Sequence, residues 1–169
     1  MVCQGLSIIE PAEMRVLILG SMPGRVSLKQ QAYYAHPRNA FWSVMSTLCH
    51  QAWSSDYEKR YQMLKFCKVG LWDVLSDCER KGSLDAAIQT DGLKVNDFIS
   101  LLDRHPECSV VAFNGAKAAQ LFKKHVAKPC PSYFTDRILI DLPSTSPAHA
   151  QLNLAEKTKI WQDKLGYFL

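Results

Sequence analysis

Residues 20–40 concentrate side chains that could bind and process a polyanionic ligand. They combine glycine backbone N–H groups, rings that can stack, positive charges that can hold phosphate, and a carboxamide. The set is Gly20, Ser21, Gly24, Arg25, Tyr33, Tyr34, His36, Arg38 and Asn39. Roughly twenty residues separate an apolar run from the next helical pattern, whereas about two to six usually join a strand to its helix. Because loops of that length are more often functional than decorative, we predict a ligand site here.

A second candidate segment, residues 141–149, is rich in hydroxyl groups. Its two prolines stiffen it, and hydroxyls and backbone amides at Ser144, Thr145 and Ser146 could reach phosphate oxygens. By composition alone, a connector to the last helix is the simpler interpretation. No Walker A, G-x-G-x-x-G or G-x-S-x-G pattern occurs in the sequence. Nucleotide hydrolysis, dinucleotide binding and a hydrolase nucleophile elbow therefore lose their usual support.

Four short apolar runs mark the elements that must position these segments. The runs lie at 16–19, 69–72, 110–113 and 138–140. They are nearly continuous rather than alternating, which is typical of strands buried on both faces. Helical periodicity lies between and after them, at 41–48, 57–69, 116–125 and 153–165. Asn96 and Asp97 also predict the capped start of a helix that stops before Pro106.

Alternating strands and helices predict an α/β fold with a parallel sheet covered on both sides. Ligands of such sheets gather at the carboxyl ends of the strands, where both candidate segments begin. No repeat or long linker divides the sequence, so we expect residues 1–169 to form one domain.

Composition permits a nucleic-acid partner without requiring one. The chain has 20 basic and 16 acidic side chains, a formal charge of +4 and a pI near 8.7. Its apolar runs are too short to span a membrane, and its first ten residues do not resemble a secretory signal. Its six cysteines form no C-x-x-C pair and its five histidines no H-E-x-x-H pattern. We therefore expect free thiols in a reducing, cytoplasmic compartment and no metal site.

The residues of both segments resemble a known family. The first motif comprises Gly20 to Gly24, Ser27-Leu28, Tyr33 to Pro37, Asn39 and Phe41-Trp42. Further matches lie at 70–75, 78–80, 82–85, 113–115 with Ala118, and 142–148. Together they resemble the hypoxanthine-DNA glycosylase family, a branch of the uracil-DNA glycosylase superfamily. The long first motif is highly specific, whereas the Pro-Ser loop alone is a weak signal.

The resemblance implies a three-layer α/β/α sandwich around a four-stranded parallel sheet. It also implies a monofunctional DNA glycosylase that flips out a deaminated purine, chiefly hypoxanthine from deoxyinosine. Such an enzyme hydrolyses the N-glycosidic bond and leaves an abasic site. We expect a monomer whose partner is DNA containing deaminated bases, with no cofactor and no metal. The alternatives are a uracil-removing enzyme, a non-catalytic module that binds damaged DNA, and a flavodoxin-like cofactor-binding protein.

The same resemblance implies roles for several residues. Asn39 would orient the attacking water, although an asparagine there could equally cap the next helix. Ser21 and Met22 stand near where other superfamily members carry an acidic or amide residue, and neither is a useful base. Asp73 would read the base edge, the alternative being a turn-organising residue or a partner of Arg80.

The remaining base-binding candidates are two tyrosines and an asparagine. Either Tyr33 or Tyr34 could stack on the flipped base, or both could simply pack the loop onto the sheet. Asn114 could hydrogen-bond the base edge or close the turn before Gly115.

DNA contacts are expected along both segments. The candidates are Ser21, Arg25, Arg38, Leu142, Ser144, Thr145, Ser146 and His149. The three hydroxyls of the Pro-Ser loop would clamp phosphates, with Arg25, Arg38 and Lys29 adding charge unless they form an ordinary solvated face. Leu142 or residues 147–149 would supply the wedge that fills the vacated stack. Leu142 also replaces the histidine that many uracil-removing relatives carry there, which argues against uracil excision.

Overall fold

Described residues of the computed structural model are 2–79 and 93–169. The strands are β1 (Val2–Gln4), β2 (Val16–Gly20), β3 (Val69–Asp73), β4 (Leu75–Glu79), β5 (Lys94–Val95), β6 (Val110–Asn114) and β7 (Ile138–Leu142). The α-helices are α1 (Arg25–Gln30), α2 (Phe41–Leu48), α3 (Tyr57–Phe66), α4 (Phe98–Arg104), α5 (Ala116–Phe122) and α6 (Leu154–Leu165). Arg80 and the matched motif at 82–85 lie outside the described residues.

A four-stranded parallel sheet in the order β3-β2-β6-β7 forms the centre of the fold. Each of the four predicted apolar runs forms one of these strands. Successive side chains of β2 point to opposite faces, as the two-residue strand period requires. Val16 and Ile18 belong to one buried cluster, and Leu17 and Leu19 belong to the other.

Helices cover both faces of this sheet. On one face α2 and α6 pack Phe41, Trp42 and Trp161 into the core. On the other face, Phe98 of α4 and Phe122 of α5 meet in an edge-to-face contact with ring centroids 5.2 Å apart. The predicted α/β/α sandwich is therefore confirmed.

Several local features differ from the sequence-based predictions. The segment at 20–40 contains the short helix α1, and the helix predicted over 116–125 continues from α5 into a π-helical turn, Lys123–Ala127. Strand β7 is an edge strand with alternating exposure rather than one buried on both faces. A second sheet, antiparallel in the order β1-β4-β5, was not predicted because its strands are short and carry polar residues.

Register in the central sheet brings the two candidate segments to one edge. Gly20 pairs with Asp73, and Asn114 pairs with Leu142, so β2, β3, β6 and β7 all end level with one another. Gly115 then turns the chain with φ of 101°, a conformation that favours glycine. The carboxyl ends of the strands thus form the floor of a single site.

Two further expectations concern the state of the cysteine thiols and the length of the apolar helices. Cys49, Cys67, Cys108 and Cys130 are free thiols. None of the helices within the described ranges is long and apolar enough to cross a membrane.

Candidate active site

A cavity of about 450 Å³ lies over the carboxyl edge of the sheet. Its volume falls in the range of about 300–1,000 Å³ that is usual for small-molecule sites. It is lined by residues 20–27, Tyr33, Tyr34, His36, Asn39, Asp73, Asn114 and residues 144–149. The two segments that the sequence singled out therefore line one pocket together.

Gly20 allows two polar groups to meet at the floor of this cavity. A Cβ at this position would lie 2.5 Å from Asp73 Oδ1 and 3.1 Å from the Tyr34 hydroxyl. Only a glycine therefore leaves room for the carboxyl group and the phenol. Asp73 is 4% exposed and is the only carboxylate among the residues that line the cavity. It can accept hydrogen bonds from donors on a ligand.

Tyr33 and Tyr34 have different environments, although both line the cavity. Tyr33 is buried, and its hydroxyl donates to the carbonyl oxygens of Leu6 and Ser7 at 3.3 and 3.0 Å. Burial, and then the charge of Asp73, raises the pKa of Tyr33 far above its usual value, so the phenol stays protonated. Tyr33 thus anchors the loop to the core.

Tyr34 is half-buried and has φ of 52°, an uncommon backbone conformation for a bulky residue. Its ring stacks on Phe41, with centroids 4.0 Å apart and planes inclined by 20°. One face of the Tyr34 ring is thereby covered by a buried residue of α2. The geometry favours Tyr34 over Tyr33 as a stacking platform.

Asn39 lies at the start of α2 and lines the cavity. Its Oδ1 accepts the Phe41 backbone N–H at 3.0 Å, while its own N–H donates to the His36 carbonyl oxygen at 2.8 Å. The capping interaction thus comes from Asn39, although α2 begins two residues later and Ala40 occupies the N-cap position. One lone pair of Oδ1 and the amide hydrogens remain for the cavity, so capping and ligand binding are compatible.

Asn114 fixes the Pro-Ser loop, residues 143–149, from below. Its Nδ2 donates to Thr145 Oγ1 at 2.8 Å, and its Oδ1 accepts the Thr145 backbone N–H at 2.9 Å. The Pro143 carbonyl oxygen accepts a hydrogen bond from Trp161 Nε1. The Thr145 carbonyl oxygen accepts one from the Ala40 backbone N–H. The loop is therefore held by β6, α6 and the start of α2 together.

Two serine hydroxyls of the Pro-Ser loop are arranged as donors. Ser144 Oγ accepts the Ser146 N–H, and Ser146 Oγ accepts the Ala148 N–H, each at 3.2 Å. Because each oxygen already accepts from the backbone, its own O–H is available to donate to an acceptor in the cavity. Phosphate oxygens are acceptors of this kind.

Two predicted DNA contacts need correction. Thr145 is 0% exposed and its hydroxyl is engaged by Asn114, so it positions the loop and does not reach a phosphate in this conformation. Leu142 is 4% exposed within the core, which removes it as the wedge. The double contact to Thr145 also makes Asn114 a support of the loop, although its side chain still lines the cavity.

The other predicted DNA contacts lie in or beside the cavity. Ser21 and Arg25 of the first segment and His149 of the second line the cavity. Arg38 is exposed on the same loop but does not line the cavity, so any phosphate it meets lies outside the pocket.

His36 lines the cavity, and the sequence placed it in the candidate segment at 20–40 without giving it a role of its own. Its Nδ1 accepts the Arg38 backbone N–H at 3.1 Å, so the neutral ring carries its proton on Nε2. Its position in the same loop as Asn39 was the signal that could have identified it. The neighbouring apolar lining, from Met22, Pro23 and Val26, has no chemical signature in the sequence.

The donors and acceptors of this cavity suit an uncharged heterocycle attached to a phosphate. Among the described residues, no cluster of three or more histidines, cysteines or carboxylates could hold a metal ion. The lining combines the Asp73 carboxylate and the Asn39 carboxamide with the Arg25 guanidinium and the hydroxyls of the Pro-Ser loop. A planar base above Asp73 and a phosphate beside the Pro-Ser loop would match this distribution.

Comparison with known proteins agrees with this geometry. The family model of the Uracil DNA glycosylase superfamily matches residues 7–164. A "Hypoxanthine DNA glycosylase" of Methanosarcina barkeri is 36% identical over 118 residues, which cover 69% of this chain and 73% of that protein. A protein of the same name from Methanosarcina acetivorans is 34% identical over 121 residues, covering 71% and 75%.

A solved structure shows the same fold over nearly the whole chain. It is the solution NMR structure of a Methanosarcina acetivorans protein provisionally named a uracil DNA glycosylase. The TM-score is 0.77 at 28% identity, and the match covers 96% of this chain and 98% of that one. The chain therefore belongs to the uracil DNA glycosylase superfamily, and within it to the hypoxanthine DNA glycosylase family.

Proposed function

We propose that this protein is a monofunctional DNA glycosylase that removes hypoxanthine from deoxyinosine in DNA and leaves an abasic site. The observation that carries the proposal is the single cavity that joins Asn39, Asp73 and the Pro-Ser loop. The names of the two Methanosarcina relatives support glycosylase activity on hypoxanthine. A stacked base does not expose its glycosidic bond, so the target nucleotide enters this cavity by flipping.

Asn39 orients the water that attacks the sugar. A carboxamide does not take up a proton near neutral pH, so Asn39 acts by holding the water rather than by deprotonating it. Its Oδ1 accepts one water hydrogen on the lone pair that the Phe41 N–H leaves unused. Cleavage moves the bonding electrons onto the base, and the water oxygen bonds to the sugar carbon. The water gives up one proton to solvent and the departing base anion takes up one from solvent, so the products are the abasic sugar and neutral hypoxanthine.

Asp73 and Tyr34 hold the flipped base. Hypoxanthine carries a hydrogen on N1, which a carboxylate can accept, whereas adenine has no hydrogen at that atom. The buried position of Asp73 makes this discrimination strong, because an unmatched polar group in a buried site costs free energy. Stacking on an aromatic ring contributes about 1–3 kcal/mol per base, and Tyr34 is the ring we assign to it.

Ser144 and Ser146 hold the phosphate beside the lesion. Arg25 of the first lining segment and His149 of the second add contacts to the DNA. Arg38 contacts a phosphate outside the pocket. Residues 147–148 replace Leu142 as the segment that fills the vacated stack, because both are accessible and line the cavity mouth.

The test is a cleavage assay with end-labelled duplexes that carry one deoxyinosine, deoxyuridine or deoxyxanthosine. Alkali breaks the strand at each abasic site, so labelled fragments report base release. We expect alkali-dependent fragments from the deoxyinosine duplex and none from an undamaged duplex. Fragments without alkali would contradict the monofunctional assignment.

Two results would overturn the substrate assignment. Release from deoxyuridine alone would make the protein a uracil-removing enzyme despite the leucine at position 142. Selective binding of the deoxyinosine duplex without release of any base would make it a module that recognises damaged DNA.

A further inference from the structure

Lys157 is a buried lysine on α6 directly behind the Pro-Ser loop. The residue is only 5% exposed, and its ammonium group donates to the Ser146 carbonyl oxygen at 3.2 Å. Lysine is almost never buried to this degree without a paired carboxylate. Burial lowers the pKa of Lys157 below its usual value, which reflects the cost of keeping this charge away from water.

The carboxylates on and beside α6 are engaged elsewhere. Glu156 accepts the Asn153 N–H in the capping box of the helix. Asp163 pairs with Lys159, and Asp141 pairs with Lys123. No ion pair among residues 2–79 and 93–169 involves Lys157. The protein itself thus leaves this positive charge without a neutralising partner in the described structure.

The carbonyl that Lys157 contacts closes the turn that presents the serine hydroxyls. Ser146 O also accepts the His149 N–H at 3.0 Å, so one oxygen joins the turn at 146–149 to α6. Ser146 Oγ accepts the Ala148 N–H within the same turn. A charge at Lys157 therefore acts on the part of the loop that faces the cavity.

We propose that Lys157 is a positioning residue whose buried charge completes a phosphate site on the Pro-Ser loop. It holds the Ser146–His149 turn in place, and a DNA phosphate bound at Ser144 and Ser146 supplies the negative charge that the protein lacks. The ammonium group acts from behind the loop, through the Ser146 carbonyl, and does not touch the DNA. The phosphate assignment rests on the proposed function, but the test does not depend on catalysis.

Affinity for a duplex with a tetrahydrofuran abasic analogue, measured by fluorescence anisotropy at several salt concentrations, tests this role. Lys157→Met removes the charge and the hydrogen bond, whereas Lys157→Gln removes the charge and keeps a donor. We expect both variants to bind at least tenfold more weakly at low salt. The slope of log affinity against log salt should fall in magnitude by about 0.9, the value for one phosphate contact.

Lys159→Met is the matched control. It lies on the same helix, changes the net charge equally, and removes an exposed lysine that pairs with Asp163. We expect this variant to keep the wild-type affinity and slope. A separate kinetic measurement on the deoxyinosine duplex should show a raised KM for Lys157→Gln with kcat within about threefold of the wild type.

Melting temperatures separate this role from a purely structural one. If the Lys157 variants melt earlier but retain the wild-type affinity and salt slope, the proposal is wrong. It is equally wrong if Lys157→Met fails to fold and Lys157→Gln binds like the wild type. A wild-type protein that binds the abasic duplex but releases no hypoxanthine would refute the proposed function alone. A wild-type protein without salt-dependent DNA binding would refute both.

Discussion

Asn39 shows how one side chain can serve both folding and catalysis. Its Oδ1 accepts the first helical N–H of α2, at Phe41, and the same side chain lines the cavity. The sequence made capping and site membership compatible for Asn39, and the geometry places the observed cap on a side chain that lines the cavity. A substitution that keeps the cap can therefore separate the two roles.

Asn39→Ala should reduce hypoxanthine release by about 100-fold or more, because the attacking water loses its positioning group. It should also cost about 1 kcal/mol of folding free energy through loss of the cap. Asn39→Ser keeps a short oxygen acceptor for the Phe41 N–H and should retain stability while losing the same activity. Single-turnover release and urea unfolding measure the two effects. Wild-type turnover in Asn39→Ser would refute the catalytic assignment.

Gly20 leaves space for neighbouring polar groups because it has no side chain. A Cβ here would lie 2.5 Å from Asp73 Oδ1, so Gly20→Ala must displace the carboxylate that we propose binds the base. We expect kcat/KM for deoxyinosine to fall at least tenfold, with a stability loss of about 1–3 kcal/mol from overpacking. Steady-state kinetics and thermal melts measure both quantities.

Gly166→Ala is the control for Gly20→Ala. Its added Cβ would meet only Gln162 Cγ, at 3.3 Å, a side-chain atom that can move, and its φ of −58° suits alanine. Stability should change by no more than about 0.5 kcal/mol, as for ordinary surface positions, and activity should stay unchanged. If Gly20→Ala changes stability and activity as little as Gly166→Ala does, activity does not depend on the observed position of the Asp73 carboxylate.

Residue types and a family resemblance identified Asn39, Asp73 and both tyrosines as candidates, and all of them line the cavity. They could not distinguish the half-buried serines of the Pro-Ser loop from Thr145, which is 0% exposed. The burial of a loop side chain depends on which helix packs behind the loop, and this tertiary contact cannot be predicted from a single sequence. Leu142 was misassigned for the same reason.

At the scale of elements, β6 positions the Pro-Ser loop through one side chain. Asn114 ends this strand and makes two hydrogen bonds to Thr145. The sequence predicted that Asn114 lies at the end of a strand. It did not predict that Asn114 bonds to Thr145, because that partner lies 31 residues away along the chain. Asn114 thus links the sheet to the loop, and its contact to the base stays a prediction.

Thr145→Val tests this link. The change keeps the shape of the side chain but leaves the Asn114 amide without its hydroxyl acceptor. We expect a stability loss of about 1–3 kcal/mol and weaker binding of the abasic duplex, because the loop is less well held. Thr145→Ser keeps the hydroxyl and is the control. Weaker binding with an unchanged melting temperature would instead favour a direct contact between Thr145 and DNA.

Strands β2, β3 and β6 were predictable because each is a continuous apolar run that parallel pairing buries. The apolar run of β7 also predicted a strand, although β7 lies at the edge of the sheet with alternating exposure. The helices α2, α4 and α6 were predictable from periodicity and from caps such as Asp97 and Asn153. Helix α1 was not, since its six residues carry one buried side chain, Ser27, and no side-chain cap. Short elements of this kind depend on tertiary contacts rather than on their own sequence.

At the scale of the whole molecule, the net charge of +4 conceals an uneven distribution. Arg25, Arg38 and Lys157 lie in or around the candidate site, and Asp73 is the only carboxylate among the cavity-lining residues. Several other described carboxylates are paired at a distance in sequence, as Glu13 is with Lys68. Because these ion pairs connect segments that are far apart along the chain, we expect the free energy of unfolding to depend on pH.

Glu10 is the most connected of these carboxylates. It accepts from His105 Nε2 at 2.8 Å and pairs with Arg104 at 3.2 Å, which joins the N-terminal segment to the end of α4. Burial raises the pKa of Glu10, but the His105 hydrogen bond and the Arg104 charge outweigh that effect and lower it overall. Because the folded-state pKa is depressed, the ionised carboxylate stabilises the protein above its unfolded-chain pKa of about 4.3. The contribution disappears as pH falls through the folded-state value.

Glu10→Gln should therefore lower the free energy of unfolding by about 1 kcal/mol at pH 7, since the group is partly exposed. The difference from the wild type should be smaller at pH 3 than at pH 7, because pH 3 lies below the unfolded-chain pKa of about 4.3 and each carboxyl that takes up a proton resembles the glutamine. Urea unfolding at both pH values measures this. Glu58→Gln, which removes an exposed carboxylate that contacts Gln62, is the control and should change stability by no more than about 0.5 kcal/mol at pH 7. A destabilisation by Glu10→Gln that is equally large at both pH values would show that shape, not charge, holds the N-terminal segment to α4.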